Sequence, residues 1–363
     1  MLEKTFKNKK VLITGHTGFK GSWLALWLHI MGAKVTGISL KEKIPKSHFV
    51  NIELSKKVKD IRLDIRDQKK FKKEIIKIKP DFIFHLAAQA LVNESYINPI
   101  KTWETNVMGT INLLDSIRSL KNKCSVVLIT SDKCYDNVEW VWGYRETDKL
   151  GGPDPYSGSK AGAELAINSY VKSFFNKKNS NIRIASARAG NVIGGGDWSE
   201  NRIIPDVVKS WNNGLKAELR NPHSTRPWQH VLEPLSGYLC LAANLDKNFN
   251  IHGESFNFGP NENNNYSVLE LVKSMSKHKR NSKWYIKKIP NQNYESSLLK
   301  LNCDKALFNL SWHSILTFEE TVKMTMDWYG SHKKNKKIII NTSIDQIKNY
   351  RNLINDRATY WKK

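Results

Sequence analysis

The 363-residue sequence predicts an α/β protein, a doubly wound parallel sheet with a smaller C-terminal α/β domain. Three observations carry that prediction. Val11-Leu12-Ile13-Thr14, a short buried-strand pattern, runs straight into Gly15-His16-Thr17-Gly18-Phe19-Lys20-Gly21 and then into a stretch of apolar helix formers, Ser22 to Met31. Strand-like and helix-like segments then alternate, the signature of βαβ units. Past Arg188 the segments shorten and become richer in Trp, Asn, Pro and Arg.

Taken in order, the first strand, glycine turn and helix follow the arrangement of a dinucleotide site. The glycines let backbone approach a pyrophosphate, whose charge sits at the helix N-terminus. The helix stops at Gly32, and Val35-Thr36-Gly37-Ile38 is the next strand. Asp64-Ile65-Arg66-Asp67 ends a short strand-like segment, Lys70 to Ile78 reads as a basic amphipathic helix, and Asp81 to Gln89 as a buried strand entering a small-residue turn. Thr105 to Leu120 is a helical pattern with Asn106 near its start. Cys124 to Ile129 and Ile182 to Ser186 are further strands.

This divides the chain into a Rossmann-type nucleotide domain over residues 1–190, with 231–260 returning to it, and a substrate domain made of 191–230 and 261–330. Residues 331–363, rich in Lys and Asn, read as a peripheral extension.

The formal charge of +24 invites a nucleic-acid or membrane reading. The lysines are scattered, however, in runs such as Lys69-Lys70, Lys287-Lys288 and Lys333 to Lys337, and no nucleic-acid-reading motif accompanies them. An anionic small substrate suits the charge better. No apolar run approaches the roughly 20 residues that span a bilayer, and the Lys-rich start has no signal-like apolar core behind it. A cytoplasmic protein without membrane or nucleic-acid partners is expected. Cys124, Cys134, Cys240 and Cys303 lie far apart with no C-x-x-C pair, so reduced thiols and no metal site are expected.

The stretch from Thr130 to Lys160 looks like a reaction centre. Ser131-Asp132-Lys133 emerge at the carboxyl end of a buried strand, where open α/β sheets bind ligands. Pro155 suits the first turn of a helix, which places Tyr156 and Lys160 four residues apart on one face. A free tyrosine, with a pKa near 10, is a poor base, and a neighbouring ammonium favours the phenolate. Further on, Thr225-Arg226-Pro227-Trp228 combines an arginine with an indole, which suits recognition of a phosphorylated, ringed ligand or, alternatively, a surface arginine beside a core tryptophan.

With these residues in hand the sequence resembles the extended short-chain dehydrogenase/reductase (NAD-dependent epimerase/dehydratase) family. Ser131-Asp132-Lys133 looks like its dehydratase loop. GHTGFKGSWLALWL, SDKCYDN, EWVWGYRE, GGPDPYS, RAGNVIGGGDW and RPWQHVLEPLSGY resemble the members that dehydrate CDP-glucose. The resemblance implies a bound NAD held by Gly15, Thr17, Gly18, Phe19 and Gly21, with Asp64 and Ile65 at the adenine, Ala87, Ala88 and Gln89 at the ribose and phosphates, and Asn106 in the scaffold beside them. It implies that Tyr156 takes the proton of the sugar 4-hydroxyl as hydride leaves C4, that Lys160 holds the ribose and lowers the phenol's pKa, and that Ser131 bonds the same sugar oxygen.

The 4-keto group then acidifies C5, Asp132 protonates the departing 6-hydroxyl, and hydride returns to C6. The C5 base is left among Lys133, Tyr156 and a water. Asn191, Arg202, Arg226 and His230 fall to the substrate.

The acid usual at the end of the second strand, which holds the adenosine ribose diol, is absent. Lys41 stands there with Glu42 after it, so Glu42 substitutes or Lys41 accommodates a 2′-phosphate; NAD is retained as the expected cofactor. An epimerase shares Ser131, Tyr156 and Lys160 but needs no acid at Asp132. A nucleic-acid-binding or redox-sensing protein on the same scaffold needs no tyrosine-lysine pair. The family also implies a homodimer or homotetramer built on the helices Thr105 to Leu120 and Tyr156 to Phe175.

Overall fold

The structure, a computed structural model, describes residues 2–176, 180–261, 264–287, 298–332 and 335–357. Seven parallel strands form the central sheet: β1 Lys10–Thr14, β2 Lys34–Ser39, β3 Lys59–Arg62, β4 Phe82–His85, β5 Cys124–Ile129, β6 Ile182–Arg188 and β7 Ser255–Asn257. Their spatial order is β7-β6-β5-β4-β1-β2-β3. The order reverses between β1 and β4, and the crevice above that switch point is where a doubly wound sheet accepts a ligand.

The strands read as unbroken apolar runs because both faces are covered. Side chains alternate across a strand. Val11, Ile13, Phe82, Phe84, Val127 and Ile129 therefore face one core, and Leu12, Ile83, Val126 and Leu128 the other. The first core takes helix α1 (Phe19–Ile30), which is buried from Gly21 to Leu28 and so is apolar nearly all round. The second takes α2 (Gln68–Ile78), which buries Phe71 and Ile75 there with Ile78 packed beside them, and α3 (Gly109–Ile117). Helix α4 (Pro155–Tyr170) starts where Asp154 accepts the Tyr156 and Ser157 N–H groups at 2.9 and 3.0 Å, with Pro155 in the first turn. The chain leaves the sheet after β6, forms α5 (Ile203–Asn212) and then α6 (Leu232–Lys247), and returns with β7 parallel to β6. The rest of the second half contributes three two-stranded sheets and α7 (Phe318–Ser331).

The C-terminal stretch read as peripheral contains a 22-residue helix, α8 (Lys336–Arg357), whose Ile339, Ile347 and Tyr350 are in the main core. Lys333 and residues 358–363 lie outside the described residues. Two of the six residues α8 buries, Ser343 and Gln346, are polar, which makes its periodicity faint in the sequence. Ser343 Oγ accepts from Trp328 Nε1 at 2.9 Å and touches His48 Nε2 at 3.2 Å; His48 Nδ1 meets Ser22 on α1 at 2.9 Å. The tail thus braces the back of the glycine-turn helix.

Tyr350 donates to Glu233 at 2.7 Å, and the same carboxyl accepts the Ile315 and Leu316 N–H groups. Burial pushes the Glu233 pKa up to about 7 against those bonds. A raised carboxyl pKa contributes stability that is complete below the unfolded value and lost as pH climbs through about 7. Glu233→Gln removes this slope: urea unfolding across pH 4.5 to 7.5 should show the parent losing on the order of 3 kcal/mol relative to the variant.

Candidate active site

β5 ends at Ile129, and Thr130-Ser131-Asp132-Lys133 turn away from its carboxyl end. Ser131 starts the turn: its Oγ accepts the Lys133 N–H at 3.2 Å and donates to Asp132 Oδ1 at 2.9 Å. The same hydroxyl lies beside the Tyr156 phenol and favours its ionised form. From the other side Asn191, in a left-handed conformation with φ of 53°, brings Nδ2 to 3.3 Å from Asp132 Oδ2. Tyr156, Ser131, Asp132 and Asn191 therefore form one polar chain, with Ser131, Asp132, Tyr156 and Lys160 all buried.

Burial pushes the Tyr156 phenol up to about 12, and Ser131 and the field of Arg202 only partly oppose it. Without further cations the phenol thus stands above its ordinary value. Lys160 is itself lowered to about 8 by burial, and the groups that favour its charge are Cys134 and Glu164. The cation acting on the phenol is Arg202, placed at the start of α5 by a 2.9 Å ion pair with Asp197.

Lys20, a second cation that the sequence reading passed over, enters from the first turn of α1. It approaches the Tyr238 hydroxyl at 3.4 Å, and burial, with Lys160 and Arg202 nearby, lowers its pKa to about 7. A charged residue in a helix turn otherwise made of small and apolar residues was the available signal.

The base of the site is a buried ion pair. Glu164, one turn beyond Lys160, meets Arg188 at 2.9 Å, and Thr130, Ser186 and Ser255 donate to the same carboxylate. Arg188 also donates to Tyr135 Oη at 2.8 Å. The pair ties α4 to β5 and β6.

On the cofactor side, a Cβ on Gly15 would lie 2.7 Å from the Ala87 nitrogen, so the turns after β1 and β4 touch. Thr17 Oγ1 bonds Ser39 at 2.7 Å, and Asp64 is engaged by Arg66. Ile65 packs under Gly109. Asn106 accepts from the Gln89 N–H at 2.8 Å and donates to Ser159 Oγ at 2.8 Å, linking that turn to α4. Phe19 packs near Gly194.

The substrate residues are less uniform. Arg226 is buried in a two-residue strand against Tyr266. His230, expected at the substrate, has no exposed surface; its ring lies edge-on to Trp23 in the core and its Nδ1 accepts the Leu232 N–H. That is a correction: the residue sits in a short strand whose buried side faces α1. Lys133 is partly exposed, and what ties it to the cluster is its backbone N–H on Ser131.

The chain matches the family model described as GDP-mannose 4,6-dehydratase over residues 12–325. It belongs to that family. Among family relatives, the CDP-glucose 4,6-dehydratase of Salmonella typhimurium is 44% identical over 94% of this chain and 96% of the relative. The CDP-paratose 2-epimerase of Salmonella typhi is 26% identical over 89% of this chain and 99% of its own length. An epimerase of Methanothermobacter thermautotrophicus superposes with a TM-score of 0.78 at 21% identity over 92% of this chain and 95% of its own. A dTDP-glucose 4,6-dehydratase of Streptomyces venezuelae superposes with a TM-score of 0.74, also at 21% identity, over 88% of this chain and 96% of its own. These two likenesses establish the shared fold, the same doubly wound sheet described above.

Among the described residues no helix is long and apolar enough to cross a membrane.

Proposed function

We propose that this protein is a CDP-glucose 4,6-dehydratase, converting CDP-D-glucose to CDP-4-keto-6-deoxy-D-glucose. The observation that carries the reading is Asp132: a buried carboxyl bonded by Ser131, next to Tyr156, puts a proton donor beside a carbonyl-forming centre. A plain epimerase has no use for it. The 44% identity with a CDP-glucose 4,6-dehydratase supports the base.

NAD is the cofactor this reading requires, and the residues present fit a dinucleotide. A Cβ on Gly21 would fall 2.1 Å from the Gly15 oxygen, so only glycine leaves the backbone bare there. The N-terminus of α1 carries no side-chain cap and no acid in its first turn, which leaves its N–H groups for an anion. Gly15, Thr17, Gly18, Phe19 and Gly21 would hold the pyrophosphate, and Asp64, Ile65, Ala87, Ala88 and Gln89 the adenosine and ribose portions. Glu42 accepts the Ile44 N–H at 2.7 Å through Oε1 alone, which leaves its second carboxylate oxygen for the adenosine ribose. When bound, NAD supplies the hydride acceptor for C4 and the donor for C6.

The chain's own residues move the protons. Tyr156, as phenolate, takes the proton of the 4-hydroxyl, and Ser131 donates to the same oxygen as it becomes a carbonyl. The ketone acidifies the C5–H bond. Lys133 in its neutral form removes that proton, Asp132 passes its proton to the leaving 6-hydroxyl, and water departs with formation of the C5–C6 double bond. Unchanged solvent exchange at C5 of a 4-keto substrate in Lys133→Met would reassign the base to Tyr156 or a water. Arg202, Arg226 and Asn191 take the diphosphate end. In this reading residues 1–190 with 231–260 form the cofactor half, and 191–230 with 261–330 the substrate half.

The deciding assay offers CDP-, dTDP- and GDP-glucose and weighs the products. Loss of one water from the CDP-sugar alone is expected; an unchanged mass with altered sugar stereochemistry would replace the reading by an epimerase.

A homodimer or homotetramer belongs to the same proposal. Ile97, Ile100, Trp103, Met108, Leu165 and Phe174 expose apolar surface around the helices that contain Tyr156 and Asn106. Trp103 also lies against Gly158 and Gly162 of α4. Ile100→Glu combined with Leu165→Glu should halve the mass seen by light scattering; a full-size assembly in that variant would place the interface elsewhere.

A further inference from the structure

Asp132 fits where it does because residue 190 has no side chain. We propose that Gly190 is the specificity-determining position of this site, making the room for the Asp132 carboxyl and, with Ser131 and Asn191, setting where that carboxyl points. A Cβ built on Gly190 would fall 1.8 Å from Asp132 Oδ2, 2.0 Å from its Cγ and 2.4 Å from Oδ1. The carboxyl lies directly on the glycine. Gly190 is not among the residues with positive φ, so its backbone accepts any L-residue and the requirement for glycine is one of space.

The peptide at Gly190 is also pinned. Its carbonyl accepts from Gln229 Nε2 at 2.9 Å, and the following Asn191 carbonyl accepts the Gln229 N–H at 3.2 Å. The turn cannot step back from an added methyl, so the Asp132 side chain gives way instead. Displaced, it loses both the 2.9 Å bond from Ser131 and the 3.3 Å approach of Asn191. Tyr156 and Lys160 stand on α4, whose N-terminus Asp154 caps through the Tyr156 N–H, and are not part of the Gly190 turn.

The two halves of the reaction therefore separate at this position. An alanine at 190 leaves C4 oxidation in place and removes the aimed acid that the elimination needs. In this chain the carboxyl at 132 occupies the space that a side chain at 190 would take.

This inference rests on the reading of Asp132 as the acid, and a four-protein cycle tells the two apart. The parent, Asp132→Ala, Gly190→Ala and the double variant are each mixed with NAD and CDP-glucose. Reduction of the nicotinamide, followed by its absorbance in a single turnover, reports C4 oxidation, and mass loss of one water reports elimination. Gly190→Ala should slow elimination by about 10²-fold or more with C4 oxidation within about threefold of the parent, and it should add no further loss to Asp132→Ala. Melting temperatures of the four proteins without ligands should show the same coupling, a penalty for Gly190→Ala in the parent that disappears once Asp132 is Ala. Equal penalties in both backgrounds, or full elimination by Gly190→Ala, overturn the inference alone. Full elimination by Asp132→Ala overturns the acid assignment and the role of Gly190 with it.

Discussion

Tyr156→Phe should slow formation of the 4-keto product by about 10²- to 10⁴-fold, the usual worth of a positioned acid-base group, with no loss of fold. The phenol is buried, and its ring remains in the variant; what goes is the oxygen beside Ser131. The size of the effect follows from how hard the site works to ionise that oxygen. Burial holds the phenol at about 12, so at neutral pH it is protonated.

Ionisation depends on cations gathered around it: Arg202 acts on it directly, and Lys160 gains charge as pH falls below its own value of about 8. Full activity in Tyr156→Phe, measured as water lost from CDP-glucose, would assign the base elsewhere. If the substrate instead bound about as well but C4 oxidation fell with everything after it, the phenol is the base.

Arg188→Met should cost about 3–5 kcal/mol of stability, the range for breaking a buried ion pair by removing one partner. Glu164 would be left with its hydroxyl donors and no cation. Burial alone would raise its pKa, yet Arg188 together with Thr130 and Ser186 holds it below the ordinary carboxylate range. A depressed carboxyl contributes stability above its unfolded pKa and loses it as pH falls, so the pair strengthens the parent at neutral pH and weakens it in acid. In Arg188→Met the sign reverses, because Glu164 now folds more comfortably once protonated. The urea midpoint of the variant should therefore recover toward the parent's between pH 7 and pH 4.5, whereas a constant gap over that range would show that the pair carries no net charge energy. Arg188→Met with Glu164→Met, which removes both charges, should regain part of the loss.

Much of the nucleotide-binding half was legible because its signals are local. Val11 to Thr14 is short and apolar, the glycines follow at once, and alternating periods of strand and helix force a parallel sheet; the observed order β7-β6-β5-β4-β1-β2-β3 is the one such units build. Pro155 announces the start of α4, and the four-residue spacing of Tyr156 and Lys160 makes them neighbours on it. The tail was not legible in the same way. Its burial depends on Ser343 and Tyr350 reaching His48 and Glu233, partners about 300 and 117 residues away.

What the sequence by itself determined is the set of reactive groups and the frame that presents them, since glycine turns, caps and hydrophobic periodicity act over a few residues. The tertiary structure decided how those groups are charged and aimed. It turned the field of Arg202 on the phenol, brought Lys20 beside Tyr238, buried His230 and set Asp132 on Gly190. Each depends on burial and on contacts between residues dozens to hundreds of positions apart, and desolvation and distance, which set a side chain's charge, exist only once the chain has closed on itself.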